Sequence, residues 1–133
     1  MVSKLRQRVA HEESAFTLIE LLVVIIILGI LMAIAIPSYL GFKDQANQRA
    51  AQSDVRAAVP SAEAFYADNG TYVGMTPAIL KATYDSGLKL GSPIGNANGV
   101  TNAAAASYCL EATVANKDAH FNGPGGDVLS GLC

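Results

Sequence analysis

Residues 16–36 form an almost unbroken apolar stretch, in which Thr17 and Glu20 are the only strongly polar positions. As a helix rising about 1.5 Å per residue, this stretch is roughly 31 Å long, close to the roughly 30 Å hydrocarbon core of a bilayer. The pattern therefore predicts a helix that is long and apolar enough to cross a membrane.

The polar and apolar positions after this stretch predict that the helix continues. Pro37 interrupts the backbone hydrogen bonds, but helix-compatible residues resume at once, which indicates a kink rather than an end. From Gln45 onward the chain becomes amphipathic, with an apolar stripe at spacings of three and four that needs a sheet to cover it. The stripe consists of Val55, Ala58, Val59, Ala62, Phe65 and Tyr66. Pro60 predicts a second bend or one lost hydrogen bond, and Asn69-Gly70 predicts a stop, so we expect one helix over about residues 16–68.

The remaining residues have the pattern of a small head. Thr76-Pro77 predicts a capped helical turn through Lys81, in a connecting region otherwise rich in Gly, Asn and Pro. Residues 107–115 alternate as a strand does, residues 116–118 predict a turn, and residues 119–121 begin the returning strand of a hairpin. The expected class is α+β, with a long kinked N-terminal helix packed on a small antiparallel sheet.

Composition and charge sharpen this division. The chain of 133 residues is 51% hydrophobic with a mean hydropathy of +0.31, but the apolar excess lies near the N-terminus, which leaves room for one modest head domain. The first fifteen residues carry three basic and two acidic side chains, a net +1, whereas the rest carries six basic and nine acidic ones, a net −3. Basic residues before an apolar helix favour a cytoplasmic N-terminus and an exported C-terminal part. No basic block points to nucleic acid as a dedicated ligand.

Cys109 and Cys133 are the two cysteines of the chain, and both lie in the part expected to be exported. An oxidising compartment favours a disulfide between them over two free thiols. By the loop-entropy argument such a bond stabilises a small head by roughly 3 to 4 kcal/mol.

Glu20 is the feature of the apolar stretch that calls for a functional explanation. A carboxylate inside such a helix costs about 2.5 to 3.5 kcal/mol on insertion scales, so it needs a nearby cation. Cleavage before Phe16 would create a positive amino group within about one turn of Glu20, and the two charges could pair between neighbouring chains.

The segment Phe16-Thr17-Leu18-Ile19-Glu20-Leu21, preceded by a short charged leader, resembles the class III signal of type IV pilins and pseudopilins. The resemblance implies that a prepilin peptidase cuts between Ala15 and Phe16 and methylates the new amine of Phe16. It also implies that Thr17 and Glu20 act in assembly, and that Gly29 and Pro37 weaken the helix that lies between them. Glycine and proline both do so physically.

The resemblance extends with lower specificity through the rest of the chain. Residues 65–72 look like the end-of-helix segment of the family, and the C-terminal cysteine pair looks like its disulfide-bounded region. The implied organisation is the pilin fold, with a leader at 1–15, a membrane and filament-core helix at 16–36, its amphipathic continuation at 37–69, and a head at 70–133. Ala15 departs from the family, which usually has glycine before the cut, so slower processing is expected.

Two other interpretations of the apolar stretch stay open. Ala33-Ile34-Ala35 satisfies the small-residue rule of a secretory cleavage site, and the stretch could equally be a permanent single-pass anchor. The three interpretations differ in the mature N-terminus, which is a methylated Phe16 for a pilin, Ile36 for a secreted protein and Met1 for an anchor.

Candidate chemistry elsewhere in the chain is sparse. His11 and His120 are far apart, with no spacing typical of metal ligands, and Gly123-Pro124-Gly125-Gly126 lacks the lysine and hydroxyl residue of a phosphate loop. No nucleophile elbow is present either. The sequence predicts neither an enzyme nor a cofactor or metal site.

The sequence thus favours a structural subunit, a major pilin that polymerises with itself for adhesion, twitching motility or DNA uptake. The implied partners are the prepilin peptidase and methylase, a pilus assembly platform protein, and the membrane before assembly, with a separate ATPase powering extension. The implied location is the cytoplasmic membrane for the precursor and an extracellular filament afterwards. The alternatives are a pseudopilin of a type II secretion or competence system, and a membrane-tethered binding module.

Overall fold

The computed structural model describes residues 16–91 and 98–133 of the chain. The leader, with its predicted cleavage residue Ala15, lies outside the described residues. Contacts divide the chain into two units between Leu40 and Gly41. The elements in chain order are α1 (Leu18–Asn69), α2 (Pro77–Thr83), β1 (Val100–Thr101), β2 (Tyr108–Val114), β3 (Lys117–Gly123) and β4 (Val128–Ser130).

Helix α1 closely matches the helix expected from the sequence. It continues without interruption past Pro37 and Pro60, although neither proline can donate a backbone hydrogen bond. The helix stops at Asn69, whose side-chain amide donates to the carbonyl of Phe65 at 2.8 Å. Gly70 follows at φ +69, and its N–H donates to the carbonyl of Tyr66 at 2.7 Å, which is the left-handed cap that glycine favours.

The four strands form one antiparallel sheet in the order β1-β2-β3-β4, so the predicted α+β class with a small antiparallel sheet is confirmed. The hairpin of β2 and β3 pairs Val114 with Lys117. Its turn is therefore Ala115-Asn116, and the predicted turn at residues 116–118 was wrong by about one residue. Both turn residues have positive φ, 46° and 65°, as a two-residue turn matched to the strand twist requires.

Strands β1 and β4 were missing from the sequence-based prediction. Strand β1 has two residues and β4 has three, so neither is long enough to show an alternating pattern. Both exist because their longer neighbours β2 and β3 offer free edges for pairing. The short helix α2 was predicted, and the Thr76 hydroxyl caps it by accepting from the Ile79 N–H at 3.3 Å.

The core lies between the sheet and one face of α1 within the unit that begins at Gly41. The helix contributes mainly small side chains, Ala51, Val55, Ala58, Ala62 and Phe65, and the sheet contributes Tyr108, Leu110, Ala112, Ala119 and Phe121. Tyr72, Met75, Leu80 and Leu88 close the remaining side. Most of the predicted apolar stripe is therefore buried, but Tyr66 stays partly exposed and stacks on Tyr72, with 4.6 Å between ring centroids.

Close packing also fixes one glycine. Gly123 at the end of β3 lies opposite Tyr108 of β2. A Cβ atom at Gly123 would collide with the ring of Tyr108. The ring of Tyr108 can therefore occupy this position only because residue 123 is glycine.

Candidate functional site

The apolar start of α1 is the most unusual surface of the molecule. Every residue from Phe16 to Ile36 is exposed, including Leu28, which is 49% exposed. Within the described ranges, α1 is the one helix that is long and apolar enough to cross a membrane. A helix that is apolar on all sides needs surroundings that the rest of its own chain does not supply.

Thr17 and Glu20 define where this helix begins. The Thr17 carbonyl accepts from the N–H groups of Glu20 and Leu21 at 3.1 and 3.3 Å, and its hydroxyl accepts from the Glu20 N–H at 3.3 Å. Thr17 is thus the residue that caps the helix, a structural role the sequence had not indicated. Glu20 lies in the first turn, where the helix dipole favours a negative charge.

The environment of the Glu20 carboxylate indicates an interaction with a group from another molecule. Its side chain is exposed, and it has no hydrogen bond or ion pair within the described part of the chain. An unpaired carboxylate among aliphatic side chains is costly once water is removed. Burial of this surface therefore favours a partner for the carboxylate, such as a cation or a hydrogen-bond donor from another molecule.

Gly29 and Pro37 both lie inside the continuous helix. A Cβ atom at Gly29 would meet nothing within 4 Å, so no packing among residues 16–91 and 98–133 requires glycine there. Glycine and proline nevertheless weaken a helix, by about 1 and 3 kcal/mol relative to alanine. The Ser38 hydroxyl next to the proline donates to the Ile34 carbonyl at 3.2 Å, a bond typical of bent or loosened helices.

In the head, the predicted disulfide joins Cys109 of β2 to Cys133. Glu111 lies on the same face of the strand and is only 4% exposed. One of its carboxylate oxygens accepts from the Cys133 N–H at 2.8 Å and the other from the Asn98 N–H at 3.0 Å. The C-terminal segment is therefore held on the sheet by a covalent bond and by a buried carboxylate.

A second carboxylate, Glu63 of α1, joins the helix to the aromatic part of the core. It accepts from the Tyr108 hydroxyl at 2.6 Å and from the Tyr72 hydroxyl at 2.9 Å. Burial and the hydrogen bond to this carboxylate raise the pKa of Tyr72 to about 12 and also raise the pKa of Tyr108. Sequence analysis missed Glu63 and Glu111, although helix spacing puts Glu63 near the buried stripe and strand alternation puts Glu111 on the face of Cys109.

Polar contacts also join α1 to the turn end of the β2–β3 hairpin. Asp44 pairs with Lys117, with 3.1 Å between Oδ2 and Nζ, and the Gln48 amide donates to the Asp118 carbonyl at 2.8 Å. These residues are one helical turn apart and contact the β2–β3 hairpin. Exposed ion pairs stabilise little, so their effect is mainly to orient the hairpin.

Residues 16–91 and 98–133 contain no group of three or more His, Cys, Asp or Glu side chains that could hold a metal ion. The ring of His120 instead contacts the Gly131 carbonyl through Nδ1 at 3.0 Å. This contact gives His120 a structural role in holding the C-terminal segment.

Comparison with known proteins supports the importance of the N-terminal segment. The family model for the prokaryotic N-terminal methylation motif matches residues 11–36. The type IV wide pilus major component of Thermus thermophilus is 36% identical over 95 residues, which cover 71% of this chain and 69% of that protein. The similarity therefore reaches beyond α1 into the head.

Other relatives match a shorter part of the chain. The type II secretion system core protein G of Aeromonas hydrophila is 42% identical over 62 residues, or 47% of this chain and 43% of that protein. The type IV major pilin protein of Myxococcus xanthus is 39% identical over 57 residues, or 43% of this chain and 26% of that protein. The chain thus covers less than half the length of these secretion and pilin relatives, and no solved structure matches it.

Proposed function

The chain belongs to the family of type IV pilins and pseudopilins, and from this premise we propose that it is the repeating structural subunit of a type IV pilus. The single observation that carries the proposal is the exposed apolar segment 16–36, which begins at the methylation motif and contains one carboxylate. Such a segment serves assembly through contact surface rather than through catalysis.

The same surface serves two states in this proposal. Before assembly, residues 16–36 lie in the cytoplasmic membrane, and in the filament they pack against the same segments of neighbouring subunits. Lipid tails and aliphatic side chains are about equally apolar, so the exchange costs little and packing decides the outcome. An energy source outside the chain drives extraction.

Processing and register depend on the first five residues of the mature chain. We propose that a prepilin peptidase cuts between Ala15 and Phe16, and that the methylated Phe16 amine of one subunit pairs with Glu20 of its neighbour. The exposed Glu20 carboxylate and the helix start at Thr17 support this arrangement. The buried amine and the carboxylate can pair at only one axial offset between two subunits, and this ion pair therefore fixes the register of their helices.

Gly29 and Pro37 are proposed to let the helix loosen when subunits pack. The open space around Gly29 in the described part of the chain supports a role in packing between subunits. Both residues lower the free-energy cost of opening the intervening helical turns.

The head is proposed to follow the segment outward. In this division residues 1–15 are the leader, 16–36 the membrane and filament-core helix, 37–69 its amphipathic continuation, and 70–133 the exported head. The disulfide between Cys109 and Cys133 suits an oxidising location on the cell surface. The proposed partners are further copies of the chain, the prepilin peptidase and methylase, and a pilus assembly platform protein.

A pseudopilin of a type II secretion system is the second candidate. It is favoured by the 42% identity to the core protein G of Aeromonas hydrophila, whereas the longer match to the wide pilus component favours a pilin. The two differ in abundance, because a major pilin dominates sheared surface fibres and a pseudopilin remains scarce in the envelope.

Mass spectrometry of sheared surface fibres tests the proposal. We expect this chain as the main component, starting at N-methylated Phe16 and carrying the Cys109–Cys133 bond. Fibres that lack the chain, with the processed form confined to the envelope, would favour the pseudopilin. A mature N-terminus at Met1 or Ile36 would contradict both candidates.

A further inference from the structure

Helix α1 carries two large exposed rings just beyond its apolar segment. Tyr39 is 67% exposed and Phe42 is 78% exposed. On a helix, positions three and four residues apart lie side by side, so Tyr39 shares one face with Phe42 and Lys43. We call Tyr39, Phe42 and Lys43 the aromatic collar.

The sheet leaves this face uncovered. Asp44, which contacts Lys117 of the hairpin, is two residues from Phe42 and so lies about 160° from it around the helix axis. The buried residues Ala51 and Val55 lie on the side of Asp44. The exposure of Phe42 and Lys43 therefore follows from which face of the helix the head occupies.

The axial position of the collar indicates what covers it. Tyr39 and Phe42 lie about 4.5 and 9 Å beyond Ile36, the last residue of the apolar segment. Helical side chains lean toward the N-terminus, which brings both rings closer to Ile36. The headgroup region of a bilayer is roughly 5 to 7 Å thick on each side, so the rings fall within it when residues 16–36 fill the hydrocarbon.

We propose that the aromatic collar docks in the headgroup region of a phospholipid bilayer and sets how deeply the subunit sits before assembly. This inference rests on the proposed function, which places residues 16–36 in the membrane. Tyrosine rings favour the bilayer interface because they present an apolar body and a polar hydroxyl. The Lys43 ammonium lies at the level of the lipid phosphates and complements their charge.

Charge also distinguishes lipid from a second copy of the chain as the occupant. Lys43 has no salt bridge within the described part of the chain, and the neighbouring acid Asp44 is already paired with Lys117. A dry interface between two helices would bury the unpaired Lys43 ammonium at high cost. A headgroup layer supplies phosphate and water to it.

The absence of tryptophan from the chain permits a direct test. Three full-length variants each place one tryptophan reporter: Tyr39→Trp in the collar, Leu28→Trp in the apolar segment, and Tyr66→Trp on the head. Each variant is reconstituted in phosphatidylcholine vesicles, with and without phosphatidylglycerol. Quenching is measured with aqueous iodide and with lipids brominated at shallow or deep chain positions.

We expect the Tyr39→Trp reporter to be quenched best by shallow bromine, and by iodide about threefold less than the Tyr66→Trp reporter, as befits an interfacial ring. Leu28→Trp should respond best to deep bromine. Adding Lys43→Gln to Tyr39→Trp should remove any increase in shallow quenching that phosphatidylglycerol causes.

The reporters separate two kinds of failure. Protection of Tyr39→Trp from both iodide and bromine overturns the collar in favour of a second copy of the chain. Iodide quenching of Tyr39→Trp equal to that of Tyr66→Trp, with Leu28→Trp still quenched by deep bromine, overturns it too, because the ring then lies in water. If Leu28→Trp is also open to iodide, membrane residence itself fails, and the proposed function fails with it.

Discussion

The two apolar parts of α1 belong to one continuous helix, but the apolar side chains of the first part are exposed and most of those of the second part are buried. In residues 16–36, long aliphatic side chains cover every side of the helix, and all of them are exposed. In residues 51–65, apolar side chains occupy one stripe, most of them are small, and the sheet buries them. The number of apolar faces thus separates a segment that needs an external partner from one that its own head covers.

Side-chain size reinforces the difference. Ala51, Ala58 and Ala62 have no exposed area and let the strands approach the helix backbone closely. The bulky Leu and Ile residues of 16–36 instead offer area for lipid or neighbouring helices. Substitutions in the first part should therefore affect assembly with the head intact, and substitutions in the second part should affect the head.

Replacement of Glu20 should have the largest effect, and this effect should fall on filament assembly while the head stays intact. In Glu20→Gln the methylated amine of the neighbour would be buried without its counter-charge, which costs about 3 to 5 kcal/mol per contact. We expect the yield of sheared fibres to fall more than about tenfold, with unchanged thermal unfolding of the head. Asp127→Asn, at an exposed carboxylate of the head, is the matched control and should leave the yield unchanged. A normal yield from Glu20→Gln would refute the register role.

Removal of the disulfide should act on the head alone. Cys133→Ser opens the ring that links the C-terminal segment to β2, and we expect a loss of about 3 to 4 kcal/mol in the free energy of unfolding. Thermal unfolding in detergent, followed by the near-ultraviolet signal of the tyrosines, measures it. Wild-type protein under reducing conditions should match the variant. A variant as stable as the oxidised wild type would show that Glu111 alone holds the segment.

Two leucine substitutions of the same chemistry sharpen the comparison. Leu110→Ala creates a cavity under α1 at a residue without exposed area and should cost about 3 kcal/mol in the unfolding of the head. Leu28→Ala removes the same atoms from the exposed segment and should change that value by less than about 0.5 kcal/mol. The same detergent unfolding assay measures both. Equal effects would mean that the exposed segment of α1 and the core of the head are not energetically distinct.

The smallest effect concerns the tyrosine hydroxyls that donate hydrogen bonds to the Glu63 carboxylate. Because the folded state raises the pKa of Tyr72 from about 10 to about 12, the head should lose stability as pH rises from 10 to 12. Tyr72→Phe should cost about 1 to 2 kcal/mol at neutral pH and reduce this alkaline loss. Tyr39→Phe, outside the head core, should leave the pH profile unaltered. Denaturant unfolding at pH 8, 10 and 11.5 measures the profile, and a Tyr72→Phe curve parallel to the wild type would contradict the assignment.

Sequence patterns predicted the elements with strong local signals. The apolar stretch of 21 residues, the capped Thr76-Pro77 turn and the Asn69-Gly70 stop each depend on chemistry within a few neighbouring positions. The hairpin was predicted one residue out of place, because Ala115 has no intrinsic preference for positive φ and only pairing of Val114 with Lys117 imposes it.

Contacts between distant residues escaped sequence analysis. Glu63 gains its two tyrosine partners, at positions 72 and 108, only when the head folds against the helix. Strand β4 exists because β3 offers it an edge. Glu111 is buried because the C-terminal segment crosses its face of the sheet.

The sequence by itself determined that a helix apolar on every side occupies nearly all of residues 16–36, since both properties follow from local composition and period. It also singled out Glu20, because one carboxylate among aliphatic residues is visible without coordinates. The apolar stripe already indicated that the head covers the face of Val55, but only the tertiary structure decided where along α1 this contact begins, so that Ala51 is buried while Phe42 and Lys43 remain exposed. That choice depends on how the sheet packs, and packing between residues far apart in the chain is not encoded in any local pattern.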